Sequence, residues 1–356
     1  MRDFARYLLL TFLVLVISSV FVLPCRALTM ADGSRISIKL DTSEAEAVLA
    51  ILDKACTQQP IAEADWQRIF SSEPYVSLKR REHSMKRSFE DDVFQQYVLS
   101  PETVKRTDAL RYTLEAWKGA NLIASARQVL KFLPAGAKIN ATVYPVIKPR
   151  ENSFVFEDNK IFLYLDPTRP KEVFLNTVTH ELHHIGMGSV ETGFDERYMD
   201  LSPNARKAGI NVGRFAEGFA MLAAAGSADV HPHQFSDPKD RARWDRDMAN
   251  FNTDLKKVEQ FLLDVLNGRF ASDEEMWNKA FEFYGEQGPW YTLGYKMAAA
   301  VEKKYGRAAL LECEQDPRRL LATWNVIAAE QSKKDEQLAT WSPELINGLH
   351  AQPVQR

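Results

Sequence analysis

The run Thr179-His180-Glu181-Leu182-His183-His184 places three histidines in five positions of a chain that has seven in all. On an α-helix, residues four apart lie on one face, a turn from each other. Imidazoles at 180 and 184 can therefore both aim at one ion if this stretch is helical, with zinc–nitrogen distances of about 2.0–2.1 Å. A plainer reading makes His183 and His184 polar surface residues and Glu181 a solvated charge. Three histidines so crowded fit it poorly.

The surrounding pattern predicts what carries that helix. From Asp41 to about Pro134 the periodicity is helical. Ser43 with Glu46 reads as a capping box, and further helices fit Ala64–Phe70, Val76–Met85, Phe89–Leu99, Glu102–Trp117 and Ala120–Phe132. After Pro134-Ala135-Gly136 the texture changes. Ile139–Ile147 and Ser153–Leu165 are rich in β-branched and aromatic residues and read as strands, with Asp158-Asn159 at a tight turn. Helix resumes through Ile185, and Asn204–Ala225, Asp254–Leu266, Asp273–Tyr284, Tyr291–Tyr305, Pro317–Ala329 and Pro343–Leu349 follow. The expected class is mainly α (α+β), with a small antiparallel sheet just before the motif helix. The expected division is 1–28, 29–135 as a helical N-terminal region, and 136–350 as the domain bearing the motif.

Arg2 and Arg6 precede an uncharged apolar run, Tyr7–Leu23, with a plausible cut after Ala27. That is the pattern of a secretory signal, cleaved or retained as a membrane anchor. The expected location is exported, periplasmic or secreted, and a membrane is a partner only if the segment is kept. Of the later cysteines, Cys56 and Cys313 either pair in an oxidising compartment or remain two buried thiols. A formal net charge of −3 gives no basic field for nucleic acid.

A catalytic zinc site uses three protein ligands and leaves one position for water. Zinc lowers that water's pKa from about 15.7 to about 7. Glu181, beside the first ligand, is placed to take its proton. Met187 and Val190 occupy the positions of the Gly and third His of the longer His-Glu-x-x-His-x-x-Gly-x-x-His pattern, so the third ligand is expected to be a carboxylate. The candidates are Glu191, Asp195, Glu196, Asp200 and Glu217. Glu217 stands out, because Phe215-Ala216-Glu217-Gly218-Phe219-Ala220 sets one acid in an apolar stretch. A charge there is rarely buried without a partner. The expected cofactor is one zinc ion held by His180, His184 and Glu217.

His180-Glu181-x-x-His184, followed after 32 residues by Glu217-Gly218-Phe219-Ala220, resembles the gluzincin metallopeptidases. In these a glutamate on a second helix completes the site. The Glu-Gly-Phe-Ala segment is similar to that of the zinc aminopeptidases of the clan. More closely, the chain resembles an uncharacterised bacterial group of zinc-dependent peptidases, through Trp66-x-x-x-Phe70-x-x-Glu73-x-Tyr75 and Pro289-Trp290-Tyr291-x-x-Gly294-Tyr295 as well. The resemblance implies a gluzincin-like fold that hydrolyses peptide bonds. It also implies an edge strand, here Lys160–Leu165, that pairs with an extended substrate. Two features depart from the pattern. The Gly-x-Met-Glu-Asn segment that grips a free N-terminus is missing, and Met221 stands where thermolysin-like enzymes carry an Asp.

Tyr291, Tyr295, His231 and His233 are candidate donors to the oxyanion of the transition state. Aromatics at helical spacing also serve simply as core, and His231-Pro232-His233 also reads as a surface turn. His183 is expected to face away from the metal. Two rival functions share these residues: a zinc hydrolase of a non-peptide amide or ester, and an inactive zinc fold that binds a partner.

Overall fold

The structure is a computed structural model that describes residues 28–33, 35–157, 159–190, 198–332 and 337–354. The N-terminal segment read as a signal or anchor lies outside the described residues. Among the described residues, no helix is long and apolar enough to cross a membrane.

The chain opens with strands β1 (Leu28–Asp32) and β2 (Ile36–Leu40), which the periodicity does not reveal. Helices α1 (Ser43–Cys56), α2 (Glu63–Phe70), α3 (Glu73–Ser84), α4 (Asp91–Val98), α5 (Pro101–Lys105), α6 (Thr107–Lys118) and α7 (Leu122–Leu130) follow. Then come β3 (Ile139–Val146), β4 (Phe154–Phe156), β5 (Lys160–Tyr164) and the motif helix α8 (Lys171–Gly188). The second half is helical: α9 (Pro203–Val212), a 3-10 turn (Gly213–Phe215), α10 (Ala216–Ala225), α11 (Pro238–Ala249) and α12 (Phe251–Leu266). It ends with α13 (Asp273–Glu282), α14 (Pro289–Gln315), α15 (Pro317–Gln331) and α16 (Pro343–Gly348).

The class is α+β, as expected, but the sheet is not antiparallel. Its order is β1-β2-β3-β5-β4, with β2/β3 and β3/β5 parallel and only the outer pairs antiparallel. Parallel neighbours need a long crossover. Helices α1–α7 form the one between β2 and β3, a pairing that local pattern does not display. β5 is consequently an inner strand, and β4 is the edge in its place.

Two cores meet at α8. The first joins the sheet to α1–α7 and takes Phe174, Val178, Leu182 and Ile185, the apolar stripe of α8. The second fills the C-terminal helices around Phe215, Phe219, Trp290 and Trp324. The stripe turns the opposite face of α8, with His180 and His184, toward α10. The Trp66–Tyr75 motif packs inside the first core, where Tyr75 meets Phe70, Phe89 and Phe94 with ring centroids 5.0–5.7 Å apart. Its Glu73 reaches Lys160 of β5 at 2.5 Å, tying the helices to the sheet. Cys56 is exposed and Cys313 buried, both free, so the expected alternatives both fail: they do not pair, and only one is buried.

Glu44, fully buried in the first turn of α1, accepts a hydrogen bond from the Ile147 amide at 3.0 Å, just past β3. Burial pushes its carboxyl up to about 8, against the lowering effects of that bond and of Lys148. Because the folded pKa lies above the unfolded one, the Glu44 contribution to stability is complete below about pH 4 and is lost as pH rises toward 8. Lys148, brought down to about 7 by burial, stays protonated in both states at lower pH. Between pH 5 and 6.5, wild-type stability should therefore fall with pH more steeply than that of Glu44→Gln, by up to about 1.4 kcal/mol per pH unit. Urea unfolding at fixed ionic strength measures both slopes, and equal slopes would contradict this reading.

Candidate metal centre

The two imidazoles and the lone acid converge. His180 Nε2 lies 3.1 Å from Glu217 Oε2 and 3.1 Å from His184 Nε2, and His184 Nε2 lies 3.3 Å from Glu217 Oε2. A tetrahedral ion with ligands at about 2.0–2.1 Å separates any two of them by about 3.3 Å. The triangle has those edges. A proton on one Nε2 lies along only one edge of the triangle at a time, whereas an ion at its centre is shared by the lone pairs of all three atoms. The donor set thus fits zinc. Among the described residues, these three form a group able to hold a metal ion.

Helix α10 brings Glu217 to the triangle through an unusually close crossing with α14. A Cβ built at Gly218 would fall inside the backbone of Gly294 and Tyr295, and one at Gly294 would lie 2.7 Å from the Phe215 carbonyl oxygen. Glycine is required at both positions by that approach. On α14, three residues before Gly294, the Tyr291 ring stacks on His180 with centroids 6.0 Å apart and planes 22° apart. Behind the cleft His183 is 1% exposed, with its Nε2 2.8 Å from Glu314 Oε1 of α14, facing away from the triangle as expected.

A cavity of about 320 Å³ opens over the triangle, lined by Ser153, Phe154, Val155, His180, Glu181, His184, Glu217 and Tyr291. Surface clefts of about 690 and 580 Å³ lie elsewhere, and neither contains any of the three ligating residues. Chemistry, not size, marks the site. The sequence marks β4 as a strand but gives no sign that Phe154 and Val155 line the site. The Phe154 ring stacks on Phe162 at 5.1 Å and is covered by the Arg81 guanidinium at 3.7 Å. The loop before it is pinned by the buried Lys148, whose Nζ donates to the Arg150 carbonyl and, at 2.7 Å, to Asn152 Oδ1.

Burial opposes the Glu217 charge, yet the two imidazoles hold its carboxyl well below the ordinary range. Burial likewise opposes protonation of His184, but Glu217 lifts it to about 9. Glu181 is raised by burial, with His180 and His184 pulling the other way and Glu217 adding to the rise. Burial and the charges of Glu217 and Glu181 keep the Tyr291 phenol protonated far above neutral pH.

Other candidates fall elsewhere. One turn along α14, about 6 Å, carries Tyr295 past the α10 crossing; its hydroxyl donates to the Val230 carbonyl at 3.2 Å, and its ring meets Trp244 of α11 edge-on. His233 packs on Trp244 and meets Ser236, while His231 contacts Asp245, so neither reaches the cavity. Asp200 lies 3.4 Å from His350. Glu191, Asp195 and Glu196 lie outside the described residues.

A family model described as "Putative zinc dependent peptidase (DUF5700)" matches residues 56–333. No curated protein and no solved structure matches the chain.

Gly218→Ala should force α10 off α14, at a cost of about 2–3 kcal/mol, and move Glu217 out of the triangle. Zinc titration against a chromophoric chelator should show affinity weakened at least tenfold, whereas wild-type affinity in this variant would remove the crossing from the explanation.

Proposed function

The chain belongs to the family described as "Putative zinc dependent peptidase (DUF5700)", and from that membership and the ligand triangle we propose that it hydrolyses peptide bonds. His180, His184 and Glu217 would hold one zinc ion. Zinc, when bound, supplies Lewis acidity, making water a better acid and a carbonyl a better electrophile. The observation that carries the reading is the three-atom triangle at the floor of a cavity that also contains Glu181.

The residues then take separate roles. Glu181 accepts the proton of the attacking water and returns it to the departing amine nitrogen, so one carboxylate serves as base and then as acid. Burial raises its carboxyl above the ordinary carboxylate value, which favours the protonated form that the second step requires. Tyr291 stays protonated and so remains a hydrogen-bond donor, and its ring beside His180 supports assigning it to the oxyanion that forms at the former carbonyl oxygen. Strand β4 ends the sheet at the cavity wall and offers its free backbone groups to an extended peptide. That edge favours a peptide over a smaller amide or ester. The apolar run behind Arg2 and Arg6 supports placing the enzyme outside the cytoplasm.

Glu181→Gln should retain zinc and lower kcat on peptide substrates by about 10²–10⁴-fold. Hydrolysis at the wild-type rate with zinc in place would mean that another group is the base. Tyr291→Phe should lower kcat by about 10²-fold or more with little change in zinc content, measured by steady-state kinetics beside metal analysis. An unchanged kcat would remove Tyr291 from the oxyanion role.

A further inference from the structure

Arg214 lies in the 3-10 turn that runs into α10, three residues before Glu217. Val212, Phe215 and Ala216 all have right-handed helical angles, so positions 214 and 217 are neighbours on one face. The guanidinium is held rigidly. Its Nε donates to Asn211 Oδ1 and its Nη1 to the Tyr284 hydroxyl, both at 2.9 Å. Its carbon lies over the rings of Trp277, Phe281 and Tyr284, at 4.8, 5.3 and 5.5 Å from their centroids.

From this cation a row of rings leads back to the metal centre. Tyr284 meets Tyr291 edge-on with centroids 6.2 Å apart, and Tyr291 stacks on His180 at 6.0 Å. With the 5.5 Å from the guanidinium to the Tyr284 ring these make three steps, which an extended chain at about 3.4 Å per residue covers in about five residues at most, fewer when a side chain adds its own reach. A guanidinium carries five N–H donors, and two are used here. Arg243 pairs with Glu286 and Arg318 with Asp316, whereas Arg214 has no carboxylate within 4 Å among the described residues. Aromatic rings limit its hydration without supplying a negative partner. A planar fork so placed matches a carboxylate, which it can bind through two parallel charge-assisted hydrogen bonds.

We propose that Arg214, at the far end of this row of rings from the metal centre, recognises an anion and binds a carboxylate of the peptide substrate. The carboxylate belongs either to an acidic side chain a few residues from the scissile bond or to a free C-terminus at that distance. This assignment rests on the peptidase reading of the metal centre.

Three matched peptides test it on the zinc-loaded full chain: a neutral parent with an amidated end, the same peptide with one Gln replaced by Glu, and the same peptide with a free C-terminus. In wild type, one acidic peptide should exceed the parent in kcat/KM by about 10- to 100-fold, and which one does so separates side chain from terminus. In Arg214→Met, which keeps the stem packed on the rings, that ratio should fall to within about twofold of unity. Arg214→Lys keeps a point charge without the fork and should retain only part of the ratio, which decides the matter if the Met variant does not fold. A wild type indifferent to both carboxylates, or a preference that survives in both variants, would overturn the assignment. If wild type cleaves none of the three, the peptidase reading fails. Calorimetric binding of the same peptides then still decides the role of Arg214, with tighter binding of an acidic peptide expected in wild type alone.

Discussion

Two imidazoles and a carboxylate stand within 3.3 Å of one another in a largely buried cleft, and burial opposes every charged form that they could take. The arrangement becomes favourable when one positive centre is shared among all three. Protons meet that demand in part, as the raised His184 and lowered Glu217 show, and a dication meets it fully. The rest of the molecule holds the triangle closed. The apolar stripe of α8 fixes the two histidines against the first core. The glycine crossing of α10 and α14 lets the second core deliver Glu217 and Tyr291 to the same point.

The site was legible where its chemistry is local. His180 and His184 follow from the periodicity of one helix, and Glu217 from a lone acid on an apolar face. Tyr291 and Tyr295 looked equivalent because they sit one turn apart on α14. What distinguishes them is where α10 crosses, and that depends on Gly218 meeting Gly294 across a separation of many residues. The sheet was less legible for the same reason. Parallel pairing of β2 with β3 spans all of α1–α7, so residues 28–40 carry no local sign of their partner. Once β3 takes β5 as its other neighbour, β5 becomes an inner strand, and Phe154–Phe156, legible as a strand but not as the sheet's edge, becomes the wall of the cavity.

Capping shows the same limit at small scale. At α13, Ser272 accepts from the Glu275 amide and caps the helix. At α1, by contrast, the Thr42 hydroxyl donates to Glu46 while Ser43 turns back to Asp41. The flanking motifs are also resolved into different tasks. The Trp66–Tyr75 segment builds the core that supports the sheet. Within Pro289–Tyr295, Trp290 is buried with its indole N–H donating to Ala280, while its neighbour Tyr291 faces the metal centre.

The most direct measurement is X-ray absorption at the zinc edge on the full chain loaded with one equivalent of metal. The expected spectrum has only nitrogen and oxygen neighbours at about 2.0–2.1 Å, with the outer-shell pattern of two imidazoles, and loses both the pattern and stoichiometric binding in a His180→Ala, His184→Ala double variant. A shell containing sulfur at about 2.3 Å, or zinc retained at full stoichiometry by that variant, would contradict the assignment of the metal to His180, His184 and Glu217.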